Sequence, residues 1–87
     1  MKNKYLIQIS VPFVSSMYDV YIPTNERVDV VIGLILKGLK EILDQDVLDE
    51  SLKYVLIDAS TGKAIDNNSI IRATGIKNGS KVVLTIV

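Results

Sequence analysis

The sequence predicts an α+β domain of two layers, a mixed sheet of four to five strands with one long helix across one face. Three observations predict it. Two alternating segments near the start are separated by a proline-led loop and read as a β-hairpin. One amphipathic stretch of period 3.6 follows. The chain then passes through short strand and turn signals into Lys81-Val82-Val83-Leu84-Thr85-Ile86-Val87, a run of high β-propensity. A strand in that position must be held by neighbouring strands, so the sheet is expected to close on it.

Residues 5–11 alternate, with Tyr5, Ile7, Ile9 and Val11 on one face and Leu6, Gln8 and Ser10 on the other. Pro12 ends that run, because proline donates no ladder hydrogen bond. Phe13-Val14-Ser15-Ser16-Met17 reads as a loop, apolar for its kind. Tyr18, Val20 and Ile22 then alternate with Asp19 and Tyr21 until Pro23. Thr24-Asn25-Glu26-Arg27 introduces a helix from Val28, with Asp29 suited to the positive end of the helix dipole. Val28, Val31, Ile32, Ile35, Leu39, Ile42 and Leu43 form the expected core stripe, with Leu36 at its margin. Gly33 and Gly38 each cost this helix about 1 kcal/mol against alanine, so it must depend on docking to the sheet. Close packing or simple tolerance explains them most economically; a seat for a partner is the sharper reading.

Asp44-Gln45-Asp46 marks the expected helix end, inside an acidic linker over residues 44–52. Tyr54-Val55-Leu56-Ile57 reads as a strand. Asp58-Ala59-Ser60-Thr61-Gly62-Lys63 is a hairpin turn, with Asp58 able to cap its own backbone and Gly62 free to take positive φ. Lys63-Ala64-Ile65 returns briefly, Asp66-Asn67-Asn68-Ser69 turns, and Ile70-Ile71-Arg72-Ala73 fits a short helical turn. Gly75-Ile76-Lys77-Asn78-Gly79 leads into the last strand, with Val82, Leu84 and Ile86 expected inside. Strand, strand, long helix, strand, short strand, final strand is best met by a two-layer β-grasp, with the first and last strands parallel at the centre. A ferredoxin-like fold needs a second long helix, which residues 58–80 cannot supply.

Composition narrows the chemistry. Eighty-seven residues are expected to form one domain, spanning 1–87, with a small core. The chain has no cysteine and no histidine, which removes disulfides, thiolate chemistry, the usual general base and the commonest metal ligand. Ten basic and ten acidic residues cancel, unlike a nucleic-acid binder. Gln8, Ser10 and Pro12 interrupt the first apolar run, so it does not read as a signal peptide, and no run reaches the roughly 18 apolar residues of a membrane span. A cytoplasmic protein without direct membrane insertion is expected.

No constellation reads as catalytic, and no cofactor or metal site is expected. The acidic group over 41–50 lacks the central glycine of a calcium loop and reads as a solvated helix end. Asp58 and Asp66 sit in turns, where aspartate serves the backbone. Ser15 and Ser16 have no histidine to activate them. Gly75 to Gly79 lacks the Lys-Ser/Thr of a phosphate-binding loop.

The candidate functional residues are apolar side chains expected to face outward. Pairing Leu56 with Ile65 across the turn puts Val55 and Ile57 on the open sheet face with Val83, Thr85 and Val87. Phe13 and Val14 are expected to flank this patch, and a contiguous apolar patch points to a protein partner. Val30, Leu34 and Lys37, opposite the helix core stripe, form a second candidate surface. Self-association through the sheet face or an edge strand is compatible with either.

Three stretches carry a resemblance. Tyr18-Asp19-Val20-Tyr21-Ile22-Pro23 has an aromatic-Asp-aliphatic pattern. Val28-Asp29-Val30-Val31-Ile32-Gly33-Leu34-Ile35-Leu36 opens the helix, and Gly75-Ile76-Lys77-Asn78-Gly79-Ser80-Lys81-Val82-Val83-Leu84 is the closing turn and strand. With them the chain resembles the ubiquitin superfamily over nearly its whole length. It looks most like the YukD/EsaB family of type VII secretion accessory proteins in Gram-positive bacteria, with Ser80 where that family usually has an acid. The resemblance implies a non-conjugated, cytoplasmic accessory component that docks onto a membrane subunit or ATPase of the secretion machine. A modifier or sulfur carrier needs a flexible Gly-Gly tail, and Val87 in a strand is not expected to serve as one.

Overall fold

The alternation at the start builds the long hairpin. In the computed structural model, which describes residues 3–43 and 51–87, β1 runs Lys4–Val11 and β2 runs Ser16–Pro23, antiparallel. The connection is tighter than the sequence suggests: a 3-10 turn over Pro12–Val14, then Ser15 at φ 54°. The second strand therefore starts at Ser16, and Met17 lies in it instead of in the loop. Proline at the first position sets the turn, the Ser15 N–H donates to the Pro12 carbonyl, and Ser15 in the left-handed conformation ends the turn.

Helix α1, Val28–Leu43, buries Val28, Val31, Ile32, Ile35, Leu36 and Leu39 against the sheet. The expected stripe is rotated slightly. Leu36 is buried, Leu43 is half-buried and Ile42 is 64% exposed. The helix N-terminus is held by tertiary contacts. The Val28 and Asp29 amides donate to the carbonyls of Ser69 and Asn67 at 2.9 and 3.0 Å, which satisfies donors that a first turn leaves open. Asp29 adds its carboxylate, accepting from the Val30 amide at 2.8 Å and from Arg27 at 2.7 Å.

Strand β3 is Tyr54–Asp58 and β4 is Lys81–Ile86. The sheet order is β2-β1-β4-β3, with β1 and β4 parallel at the centre and β3 antiparallel to β4. The fold is thus the expected mixed sheet under one helix, with four strands. The short return after the turn gives a single bridge, Ile57 to Ala64, so it adds no fifth strand. The Ile65 amide does donate to the Leu56 carbonyl at 2.8 Å, and both side chains are buried. Ile71–Ala73 forms the short helical turn. The core lies between helix and sheet around Ile7, Ile9, Val11, Leu56, Val82 and Leu84. Ile86, expected inside, is 41% exposed, since it pairs with Tyr54 where β4 reaches the end of the sheet. The expected helix stop at Asp44-Gln45-Asp46 and most of the acidic linker lie outside the described residues.

Two turns position the central strands. Asp58 accepts from the Ser60 hydroxyl at 2.7 Å and the Ser60 amide at 2.9 Å, while Gly62 takes φ 73°. Those hydrogen bonds to its charged form, the hydroxyl foremost, hold the Asp58 carboxyl below the usual carboxylate range. In the turn before β4, the Asn78 side-chain oxygen accepts from the Leu6 amide at 2.7 Å, and the Gly79 amide donates to the Leu6 carbonyl at 2.7 Å. Gly79 takes φ 88° as the chain leaves that amide for β4, a value most residues reach only with strain. The turn thereby sets β4 beside β1.

Candidate functional site

The open face of the sheet is set by registers that pair same-side residues directly. In β3 and β4 the pairs are Val55 with Thr85 and Ile57 with Val83, and all of these side chains are half-buried. The parallel pairing puts Ser10 beside Val83, and the hairpin puts Met17 beside Ser10. One row therefore crosses all four strands: Met17, Ser10, Val83, Ile57. Met17 is 60% exposed at the end of that row. The alternation Met17, Asp19, Tyr21 carries the strand back into the expected loop. Val87 follows β4 on the same alternation, 80% exposed, its amide donating to Lys53 at 2.9 Å.

Phe13 and Val14 belong elsewhere. The Phe13 ring lies 5.9 Å from that of Tyr54, tilted by 42°. Tyr54 is buried on the helix side of β3, and Val14 packs against the core. Strand polarity explains this: the hairpin turn sits at the end where β4 finishes and β3 starts, and folds toward the helix layer. Val14 packs on the core at that end, while Phe13 stays 37% exposed beside Tyr54.

Val30, Leu34 and Lys37 lie exposed along the outer side of α1, with Val30 43% and Leu34 53% exposed. Leu34 has a second setting. A cleft of about 200 Å³ runs between α1 and β2, lined almost wholly by carbon. Tyr18, Val20 and Ile22 form its strand wall; Leu34, Gly38 and Ile42 form its helix rim. Helical periodicity alone hides it, because a cleft needs the spacing of helix and strand.

No cluster of three or more acidic, histidine or cysteine residues capable of holding a metal is present among the described residues. Asp58 and Asp66 each accept from the amide two residues on, so both act as turn caps. No helix among the described residues is long and apolar enough to cross a membrane.

This arrangement of one helix across a four-stranded mixed sheet is the ubiquitin-like β-grasp. The EccD5 ubiquitin-like domain of Mycobacterium xenopi superposes with TM-score 0.76 at 15% identity, over 97% of this chain and 94% of that one. A chain of the MycP5-free ESX-5 inner membrane complex matches with TM-score 0.77 at 12% identity, over 98% of this chain but 21% of its own length. A chain of the toluene 4-monooxygenase HD complex matches with TM-score 0.74 at 8% identity, over 97% of this chain and 99% of that one. Identities this low carry the fold and not the activity. No protein-family model matches the chain, and no curated protein matches it.

Proposed function

We propose that this chain is a ubiquitin-like docking module of a type VII secretion apparatus, binding a protein partner through the open face of its sheet without turning over a substrate. The observation that carries the reading is the row Met17, Val83 and Ile57 with Val55 and Thr85 beside it, apolar or uncharged side chains on one rigid surface. The secretion setting is supported by the likeness to the EccD5 domain and to a chain of the ESX-5 membrane complex. The partner is a membrane subunit or ATPase of that machine, approached from its cytoplasmic side. No residue is assigned to catalysis, and no cofactor is needed.

The test is a pull-down with the subunits of the secretion machine, using wild type, Ile57→Asp and Val83→Asp. A carboxylate in the middle of a desolvated contact costs at least about 2 kcal/mol, a loss of roughly 30-fold in affinity. Retained folding by circular dichroism with lost capture supports the reading. Equal capture by folded variants, or no capture by wild type, removes it.

A further inference from the structure

The turn before β4 is tied to β1 through two bonds to one residue. The Asn78 Oδ1 accepts from the Leu6 N–H at 2.7 Å, and the Gly79 N–H donates to the Leu6 carbonyl at 2.7 Å. A side-chain amide thus stands in for a backbone carbonyl, just ahead of the parallel ladder that begins with Gln8 and Lys81. These two groups are also the reactants of asparagine deamidation, in which the following backbone nitrogen attacks the side-chain Cγ. Asparagine is among the thermolabile residues. Asn78 is the only one of the five asparagines followed by glycine, whose missing Cβ leaves its nitrogen open to approach. In the others the next residue is lysine, glutamate, asparagine or serine. Asn78 and Gly79 are both exposed, so water reaches them.

We propose that Asn78 is a deamidation site that the seam between β1 and β4 keeps closed, and that isoaspartate formed there breaks the seam. Hydroxide takes the Gly79 amide proton, and the nitrogen bonds to Asn78 Cγ. The Cγ–Nδ2 bond breaks, and ammonia leaves with a proton from water. Water then opens either carbonyl of the resulting succinimide, giving aspartate or isoaspartate; no oxidant or reductant takes part. In the fold the first step is opposed twice. The proton to be removed is the one donated to Leu6, and the ring nitrogen carries no hydrogen to restore that bond. The Leu6 N–H also holds the side chain in place through Oδ1. Reaction therefore waits on a local opening in which β4 leaves β1. The two products then differ. Aspartate offers Leu6 an oxygen in the same place, now charged, and leaves the Gly79 N–H where it was. Isoaspartate reroutes the backbone through Cγ. That oxygen and the Gly79 N–H then belong to one planar trans unit and point in opposite directions. They cannot both reach Leu6, whose N–H and C=O lie on one side of β1. The register that puts Val83 beside Ser10 starts at this turn, so it loses its anchor.

The experiment ages the full chain in mildly alkaline buffer, folded and in urea. Asn78 is followed by mass-spectrometric peptide mapping that separates aspartate from isoaspartate. The unfolded chain is expected to convert at least about tenfold faster. Leu84→Ala, which leaves a cavity under β4, should convert faster than wild type without urea. The isoaspartate form, purified and returned to plain buffer, should lose slow hydrogen exchange at the Leu6 and Gly79 amides. It should melt roughly 4–8 °C lower, the size of one lost hydrogen bond in a domain of this length. Asn78→Asp should keep both amides protected and at least the wild-type Tm. Four results overturn the proposal: no conversion at Asn78 in urea, equal rates folded and unfolded, an isoaspartate form as protected and as stable as wild type, or loss of Leu6 amide protection in Asn78→Asp.

Discussion

Replacing Gly33 and Gly38 by alanine should make this protein markedly more stable. Both glycines lie inside α1, more than one turn from either end of Val28–Leu43. Glycine in a helix interior costs about 0.8–1 kcal/mol against alanine, chiefly because the unfolded chain has more conformations to lose. Close packing would offset the gain, but a methyl group at either position meets no atom within 4 Å outside the helix's own backbone. Neither residue has positive φ. Each substitution should thus yield most of its propensity gain. The two sites have no shared partner, so the effects should nearly add, to about 1.5–2 kcal/mol. For a domain of this size that is a rise in Tm of roughly 6–15 °C. The assay is thermal and urea unfolding by circular dichroism, with each single variant and the pair. An unchanged or lowered stability in Gly33→Ala would refute the reasoning, because it would mean that the helix is not continuous there. Gly38 carries a further consequence. It borders the cleft between α1 and β2, so Gly38→Ala should gain stability while narrowing that cleft.

The rotated helix stripe gives a sharp contrast. Leu39→Ala, at 3% exposure, should cost about 2–5 kcal/mol, whereas Ile42→Ala, at 64%, should cost under about 1 kcal/mol in urea unfolding. Similar losses at both would mean that Ile42 is covered in solution. Asp58 predicts a pH effect. Its folded pKa is depressed by the Ser60 hydroxyl and then the Ser60 amide, so its contribution is present above the ordinary carboxylate pKa of about 3.9 and is lost as pH falls through the lower folded value. Asp58→Asn should therefore flatten the stability profile below about pH 4 and leave its shape at neutral pH unchanged, measured by urea unfolding across pH.

Much of the fold was legible because two periodicities do not compete in this chain. Residues 5–11 alternate, residues 81–86 are a run of high β-propensity, and the segment from Val28 turns apolar every three to four residues. Local turn chemistry was equally readable at Asp58 and Gly62, where a carboxylate and a missing Cβ act on their own neighbours. The open-face pairing was legible for a related reason: Leu56 facing Ile65 across a turn of known length determines the side of every residue on β3. The errors have a common cause. Met17, Phe13, Val14, Ile42 and Ile86 sit where an element ends, and there exposure depends on what the neighbouring layer reaches. Phe13 and Val14 are apolar in a loop, which signals burial or binding equally well. The fold packs Val14 on the core and leaves Phe13 exposed beside Tyr54.

The sequence by itself determined the architecture and the chemistry that is missing. Alternation, a single amphipathic helix and turn residues specify a β-grasp, and a chain without cysteine or histidine forgoes the commonest nucleophiles, bases and metal ligands. The tertiary structure decided which surfaces can act. That Met17, Val83 and Ile57 share one row depends on two long-range registers, one of them joining strands more than sixty residues apart in the chain. That β2 keeps a free edge beside an apolar cleft depends on its place at the end of the sheet order and on how far α1 stands from it. Periodicity tells each side chain which way to point from its own backbone; only the packed layers settle what it meets there.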